Sequence, residues 1–164
     1  LKKRVYIETS IPSFYFETRT GSEMVARRRW TRLWWSEYAA SHAFEVVTSV
    51  AVVQELSRKD FPAQESCLEL VKGLPLVPIE PAVDEIVRAY IAYRVMPNDP
   101  LGDALHLALA SHHRCDFLVT WNCRHLANAN KFDHIRRINA ILGLFVPALV
   151  TPLELLGEDD EEGG

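Results

Sequence analysis

At 164 residues, with 48% hydrophobic and 24% charged side chains, the chain has the make-up of one compact globular domain, not of a disordered or fibrous protein. Its net charge of −4 hides an uneven distribution: Glu158, Asp159, Asp160, Glu161 and Glu162 carry five of the negative charges, so residues 1–157 stand at +1 and the body is neither a strongly basic nor a strongly acidic binder. No apolar run approaches the ~20 residues that cross a bilayer. After Lys2, Lys3 and Arg4 only Val5, Tyr6 and Ile7 precede Glu8, so no membrane contact and no export signal are expected, and the expected location is cytoplasmic.

Along the chain, Arg4-Val5-Tyr6-Ile7 reads as a first strand that ends at Glu8, and residues 9–13 read as a turn. Met24, Trp30, Leu33, Trp34 and Tyr38 recur near helical spacing, which predicts a long helix over residues 22–41. Residues 44–48 form a second strand, and Ser49 is placed to cap a helix carrying Val52, Val53, Glu55 and Leu56. A helix over 62–72 stops at Gly73, and a strand over 76–79 among three prolines belongs at a sheet edge. Residues 82–95 are helical. Asn98-Asp99-Pro100 starts the next helix, with Asp99 as cap and Pro100 in the first turn, and Leu101, Leu105, Ala108 and Leu109 form its apolar stripe. Residues 117–120 make a continuous apolar strand of the kind covered on both faces. A helix over 134–142 and a strand over 148–150 complete the pattern. Strands alternating with helices predict an α/β fold, three layers with a central, mostly parallel sheet, as a single domain over 1–157. The acidic residues 158–164 are expected to be a disordered tail.

In such folds the chemistry gathers at the carboxyl ends of the parallel strands. Glu8 stands at the end of the first strand and Asn122 just past the strand over 117–120. Glu55 lies in the helix after the second strand, and Asp103 in the first turn of its helix, where the positive dipole end favours a carboxylate. Carboxylates gathered in this way repel one another unless a cation lies among them, and hard oxygen ligands suit Mg²⁺ or Mn²⁺. Bland roles compete with these: Glu8 could receive the turn at Ser10, Glu55 could be an ordinary surface acid, Asp103 a dipole partner, Asp99 a cap and Asn122 a turn residue.

Four segments together resemble the signature blocks of the PIN-domain family: Val5-Tyr6-Ile7-Glu8-Thr9-Ser10, Val52-Val53-Gln54-Glu55-Leu56, Gly102-Asp103-Ala104-Leu105-His106-Leu107-Ala108 and Leu118-Val119-Thr120-Trp121-Asn122. The resemblance implies a metal-dependent ribonuclease, an endoribonuclease in which an activated water attacks phosphorus in line and leaves a 5′-phosphate and a 3′-hydroxyl. Glu8, Glu55 and Asp103 would hold Mg²⁺ or Mn²⁺, with Asn122 as an auxiliary catalytic ligand and Asp99 as a further one. Thr9, Ser10 and Thr120 would position water or phosphate. Many members of that family are single-strand-selective ribonucleases, including the VapC-type toxins of toxin–antitoxin pairs, so the resemblance implies a possible antitoxin protein and a homodimer as partners beside the RNA substrate. Two positions depart from the family pattern, Glu8 and Asn122 each standing where Asp is usual, and Asn122 costs the site one formal charge. A degenerate member that binds RNA or protein without cleavage is the rival reading.

Other features are weaker. Cys67, Cys115 and Cys123 lack metal-binding spacing and read as reduced thiols, and Cys123 and His125 do not face each other as a catalytic pair. His112 and His113 at a helix end are expected to meet terminal carbonyls. Arg27, Arg28, Arg29 and Arg32, like Lys131, Arg136 and Arg137, are basic groups that could touch phosphate. Trp30, Trp34 and Trp35 are expected to pack in the core or at an interface with a partner. A receiver-like phosphoacceptor fits poorly, because no lysine follows a late strand at the pocket.

Overall fold

The computed structural model describes residues 2–96 and 102–157. Five strands, β1 (Arg4–Ile7), β2 (Glu45–Ser49), β3 (Leu76–Val77), β4 (Phe117–Val119) and β5 (Ala148–Val150), form one parallel sheet in the order β3-β2-β1-β4-β5. Helices α1 (Ser10–Tyr15), α2 (Ser22–Trp34), α3 (Val50–Leu56), α4 (Gln64–Val71), α5 (Pro81–Ala92), α6 (Asp103–His112), α7 (Ala129–Ile141) and α8 (Pro152–Leu155) flank it in three α/β/α layers. The chain therefore builds outward from β1 through β2 to β3, then returns to lay β4 on the other side of β1. That reversal makes the carboxyl ends of β1 and β4 the switch point of the sheet, where neighbouring loops part and leave a crevice.

Sequence patterning explains most elements. Val5, Tyr6, Ile7, Leu118 and Val119 are all fully buried, as central parallel strands require. β3 lies at the edge, where the surrounding prolines remove few ladder bonds. Pro81 opens α5 in the first turn, where its missing N–H has no intrahelical role.

Some expectations are corrected. Residues 9–13, read as a turn, run into a short helix, Ser10–Tyr15, that buries Ile11 and Pro12; the proline sits in the first turn, where it is tolerated. The long helix ends as an α-helix at Trp34 and continues as a π-helical turn, Trp35–Ala39. α6 begins at Asp103 with Gly102 as its cap, and Asp99, Pro100 and Leu101 lie outside the described residues. It is buried all round, from Ala104 to Ser111, and not along one stripe, because it packs into the domain interior. α7 starts at Ala129, earlier than its apolar spacing indicates, because the Asn128 side chain caps it by accepting from the Asn130 N–H. Beyond the last strand, Pro152 opens a further short helix, α8, whose Thr151–Glu154 capping box satisfies two donors reciprocally. The acidic residues 158–164 lie outside the described residues.

The tryptophans of α2 are used inside the chain. Trp34 is fully buried, Trp30 stacks on Trp121 with ring centroids 6.1 Å apart, and Trp35 meets Tyr15 edge-on at 6.1 Å. Trp34 is thereby a core residue, whereas Trp30 and Trp35 pack on aromatic rings of their own chain and keep part of their surface exposed.

A candidate carboxylate site at the sheet switch point

Glu8 follows β1 directly and is only 6% exposed. Its Oε1 accepts the Ser10 N–H at 3.0 Å and also the Ser10 hydroxyl. Ser10 Oγ in turn accepts the Trp121 N–H at 2.8 Å, so α1 ties the end of β1 to the loop after β4. Burial pushes the Glu8 carboxyl above its ordinary range, against the opposing pull of His106 and the Ser10 and Thr120 hydroxyls, while the Glu55 charge pushes it further up. A strand could have ended on any polar residue; an acid held here without a full ion-pair partner is costly to the fold.

Glu55 projects from α3 toward the same end of the sheet. Thr9 Oγ1 donates to its Oε2 at 2.5 Å, and His106 Nε2 meets its Oε1 at 2.7 Å. Burial alone would raise this carboxyl, but the His106 hydrogen bond and charge, with Thr9 and Arg58, outweigh it and hold Glu55 below the usual range. Glu55 is therefore an anion at neutral pH, at the mouth of a cleft of about 170 Å³ lined also by Ala51, Gln54, Arg58 and Leu105.

Asp103 occupies the first position of α6, and its Oδ2 accepts from Asn122 Nδ2 at 2.8 Å. The Asn122 oxygen accepts two backbone N–H groups, from Arg124 at 3.2 Å and His125 at 3.1 Å, which fixes the orientation of the amide. Asn122 thus turns its nitrogen, not its oxygen, toward Asp103. The amide oxygen expected to serve as an auxiliary ligand is committed to the turn that starts the loop after β4, and the Asn122 N–H itself is held by Thr120 Oγ1 at 2.9 Å.

His106 is the residue that sequence reasoning passed over. It is 2% exposed, one helical turn after Asp103, and joins four elements. Besides Glu55, its Nδ1 meets the buried Tyr6 hydroxyl at 2.8 Å, and that hydroxyl meets Ser49 Oγ at 2.8 Å. Ser49 consequently stands at the cap position of α3 without a side-chain cap bond, because its hydroxyl is used by Tyr6. Desolvation opposes protonation of His106, but the Glu55 hydrogen bond and the charges of Glu55, Glu8 and Asp103 outweigh it and raise the imidazole pKa. The available signal was one imidazole inside an otherwise apolar stretch of α6, three residues after an acid.

The expected site residues are thus assembled from β1, α1, α3, α6 and the loop after β4. Glu8 is bonded to Ser10, Asp103 to Asn122 and Asn122 to Thr120, while Thr9 and Glu55 form a separate group with His106; Asp99 lies outside the described residues. Glu8, Glu55 and Asp103 are not drawn into direct convergence: among the described residues, three ligating side chains with donor atoms within 4.8 Å of one another occur at Glu80, His112 and His113. The donor set suits a hard divalent cation nonetheless. All three acids offer oxygen, Asp103 Oδ1 is left outside the Asn122 contact, and the hydroxyls of Ser10 and Thr120 are adjacent.

The arginines divide differently from the expectation. Arg27 donates to the Trp121 carbonyl at 3.4 Å and lies over the Phe14 and Trp121 rings, Arg28 donates to the Glu17 carbonyl at 3.3 Å, and Arg32 to the Tyr15 carbonyl at 2.7 Å. These guanidinium groups lock α2 onto its own chain. Exposed Arg58 lines the same cleft as Glu55 and acts on its charge. No family model and no curated protein matches this chain. Among the described residues, no helix is long and apolar enough to cross a membrane.

Proposed function

We propose that the chain is a divalent-cation-dependent ribonuclease that hydrolyses phosphodiester bonds, with Glu8, Glu55 and Asp103 holding Mg²⁺ or Mn²⁺. The observation that carries this reading is the burial of Glu8 at the sheet switch point, beside an imidazole, His106, that feels the charges of Glu55, Glu8 and Asp103. Burying Glu8 costs the fold stability, and buried acids with shifted pKa values concentrate at functional sites. When bound, the cation supplies charge neutralisation for the acids, Lewis acidity toward a phosphoryl oxygen and a lowered pKa for water.

The chain's own groups have separate tasks. Glu55, kept anionic by His106 and Thr9, and Asp103 at the helix end supply the fixed negative charge. Glu8, with its raised pKa, changes charge most readily as its surroundings change. Ser10 and Thr120 hold Glu8 and the loop after β4 at a fixed separation, Thr120 from a fully buried position. Arg58 borders Glu55 and would attract the backbone of single-stranded RNA. The resemblance to VapC-type PIN domains adds an antitoxin protein and a second copy of the chain as expected partners.

A second reading, a PIN-like fold that binds RNA or protein without cutting it, is favoured by the orientation of Asn122, which presents an N–H group where a fourth ligand oxygen would otherwise stand. An end-labelled single-stranded oligoribonucleotide incubated with Mn²⁺, Mg²⁺ or EDTA separates the two. Cleavage that appears with the cations and stops in EDTA supports the nuclease. Retarded but intact RNA under all three conditions supports the binder.

A further inference from the structure

A different kind of site lies at the far end of α6 from Asp103. Glu80 is the residue before α5, His112 ends α6, and His113 follows it. One ligating atom from each of the three lies within 4.8 Å of the other two. The His112 and His113 rings stand edge to face with centroids 4.9 Å apart, and His112 Nε2 is 2.9 Å from Glu80 Oε2. The expected contact of these histidines with the carbonyls ending α6 is therefore absent from their side-chain bonds. His113 Nε2 instead meets the Pro78 carbonyl at 2.7 Å.

That carbonyl can only accept, so His113 Nε2 is the donor, which leaves Nδ1 as the nitrogen able to ligate a cation. A backbone carbonyl orienting the second nitrogen of an imidazole is the usual support of a metal-ligating histidine. The three side chains are also held on fixed backbone: Pro81 restrains the chain at Glu80, and α6 is buried along its length. A side cleft of about 260 Å³, lined by Glu85 and His112 among others, borders the group and gives room for water.

We propose that Glu80, His112 and His113 form a second metal site that takes a borderline cation of the Zn²⁺ class. Two imidazoles and one carboxylate are a three-ligand set for Zn²⁺, with water from the adjoining cleft completing four-coordination. The same set is a poor one for Mg²⁺, which prefers oxygen ligands and retains its waters. The ion would replace the proton shared by His112 and Glu80 and would pin the segment entering α5 to the carboxyl end of α6. This site does not depend on nuclease activity, and its chemistry is distinct from the all-oxygen cluster around Glu8.

The test uses the full chain, stripped with EDTA and dialysed, in a Cys123→Ser background so that the exposed thiol cannot bind zinc. Calorimetry with Zn²⁺ should show one ion per chain, and saturating Zn²⁺ should raise Tm by roughly 5–10 °C at a hundredfold excess over Kd. Mg²⁺ should not compete for this site. His112→Ala and His113→Ala, both at partly exposed positions, should each weaken Zn²⁺ binding tenfold or more, whereas Asp103→Asn should leave it unchanged. Co²⁺ should give the visible absorption of a tetrahedral site in the parent and not in either histidine variant. Absence of Zn²⁺ binding in the parent, or Zn²⁺ binding that persists in both histidine variants, overturns the proposal.

Discussion

Replacing His106 removes the link between the sheet, α3 and α6, and its cost can be worked from the contacts. The imidazole is 2% exposed and makes hydrogen bonds of 2.7 Å to Glu55 and 2.8 Å to Tyr6. His106→Ala leaves a cavity and deprives the fully buried Tyr6 hydroxyl of one of its partners, although Ser49 still bonds it. Glu55 is less affected, since its side chain keeps 19% exposure and the Thr9 bond. Cavity and lost bonds together give about 2–4 kcal/mol, a fall in Tm of roughly 5–15 °C for a chain of this size. His106→Gln, able to donate to Glu55, should recover about half of the loss.

The pH dependence has a definite sign. Because the folded pKa of His106 is raised above 6.5, the stability it contributes is full below 6.5 and is lost as pH rises through the folded value. Glu8, raised from 4.5, adds a loss of the same sign that starts lower, and the difference between wild type and His106→Gln reads the imidazole together with the acids it acts on, Glu8 and Glu55. Urea titrations from pH 5 to pH 9 should show a midpoint that falls more steeply for wild type than for the variant. Parallel curves, or a His106→Ala cost below about 0.5 kcal/mol, would refute the reasoning.

Asn122→Asp should destabilise the cation-free protein, because a carboxylate then replaces the N–H group 2.8 Å from Asp103, and should tighten Mn²⁺ binding; calorimetry showing unchanged affinity would place Asn122 outside the cation's reach. Mn²⁺ should raise the Tm of wild type, and Asp103→Asn should remove most of that rise, which a thermal melt with and without 5′-labelled RNA can check in one plate. Trp34→Ala, at a fully buried indole, should cost about 3–5 kcal/mol by denaturant unfolding without changing the dependence on Mn²⁺.

The parallel sheet and its strand positions were legible because β1, β2 and β4 are short apolar runs separated by helical periodicity. Helix ends were less so. Nothing local distinguishes residues 10–15 from a turn, since that helix exists to bury Ile11 and Pro12 against the rest of the chain. α7 starts where Asn128 caps it, outside the reach of the apolar pattern. Among site residues, Glu8 stood out because an acid ending an apolar strand is unusual on its face. His106 did not, because its importance lies in Tyr6, Ser49 and Glu55, which are distant in sequence. The orientation of Asn122 was likewise unreadable: two backbone N–H groups in the following turn decide which end of the amide faces Asp103. Glu80, His112 and His113 meet only because α5 and α6 bring two separate segments to one corner.

The most direct measurement of the central claim is single-turnover cleavage of one labelled single-stranded RNA by wild type and Asp103→Asn, with Mn²⁺ and with EDTA. The account predicts cleavage by wild type in Mn²⁺ that leaves a 5′-phosphate, loss of that cleavage in EDTA, and a rate at least a hundredfold lower for Asp103→Asn, on the order of 2.7 kcal/mol of lost transition-state stabilisation. Cleavage that survives EDTA, or that proceeds equally fast in the Asp103→Asn protein, would contradict it.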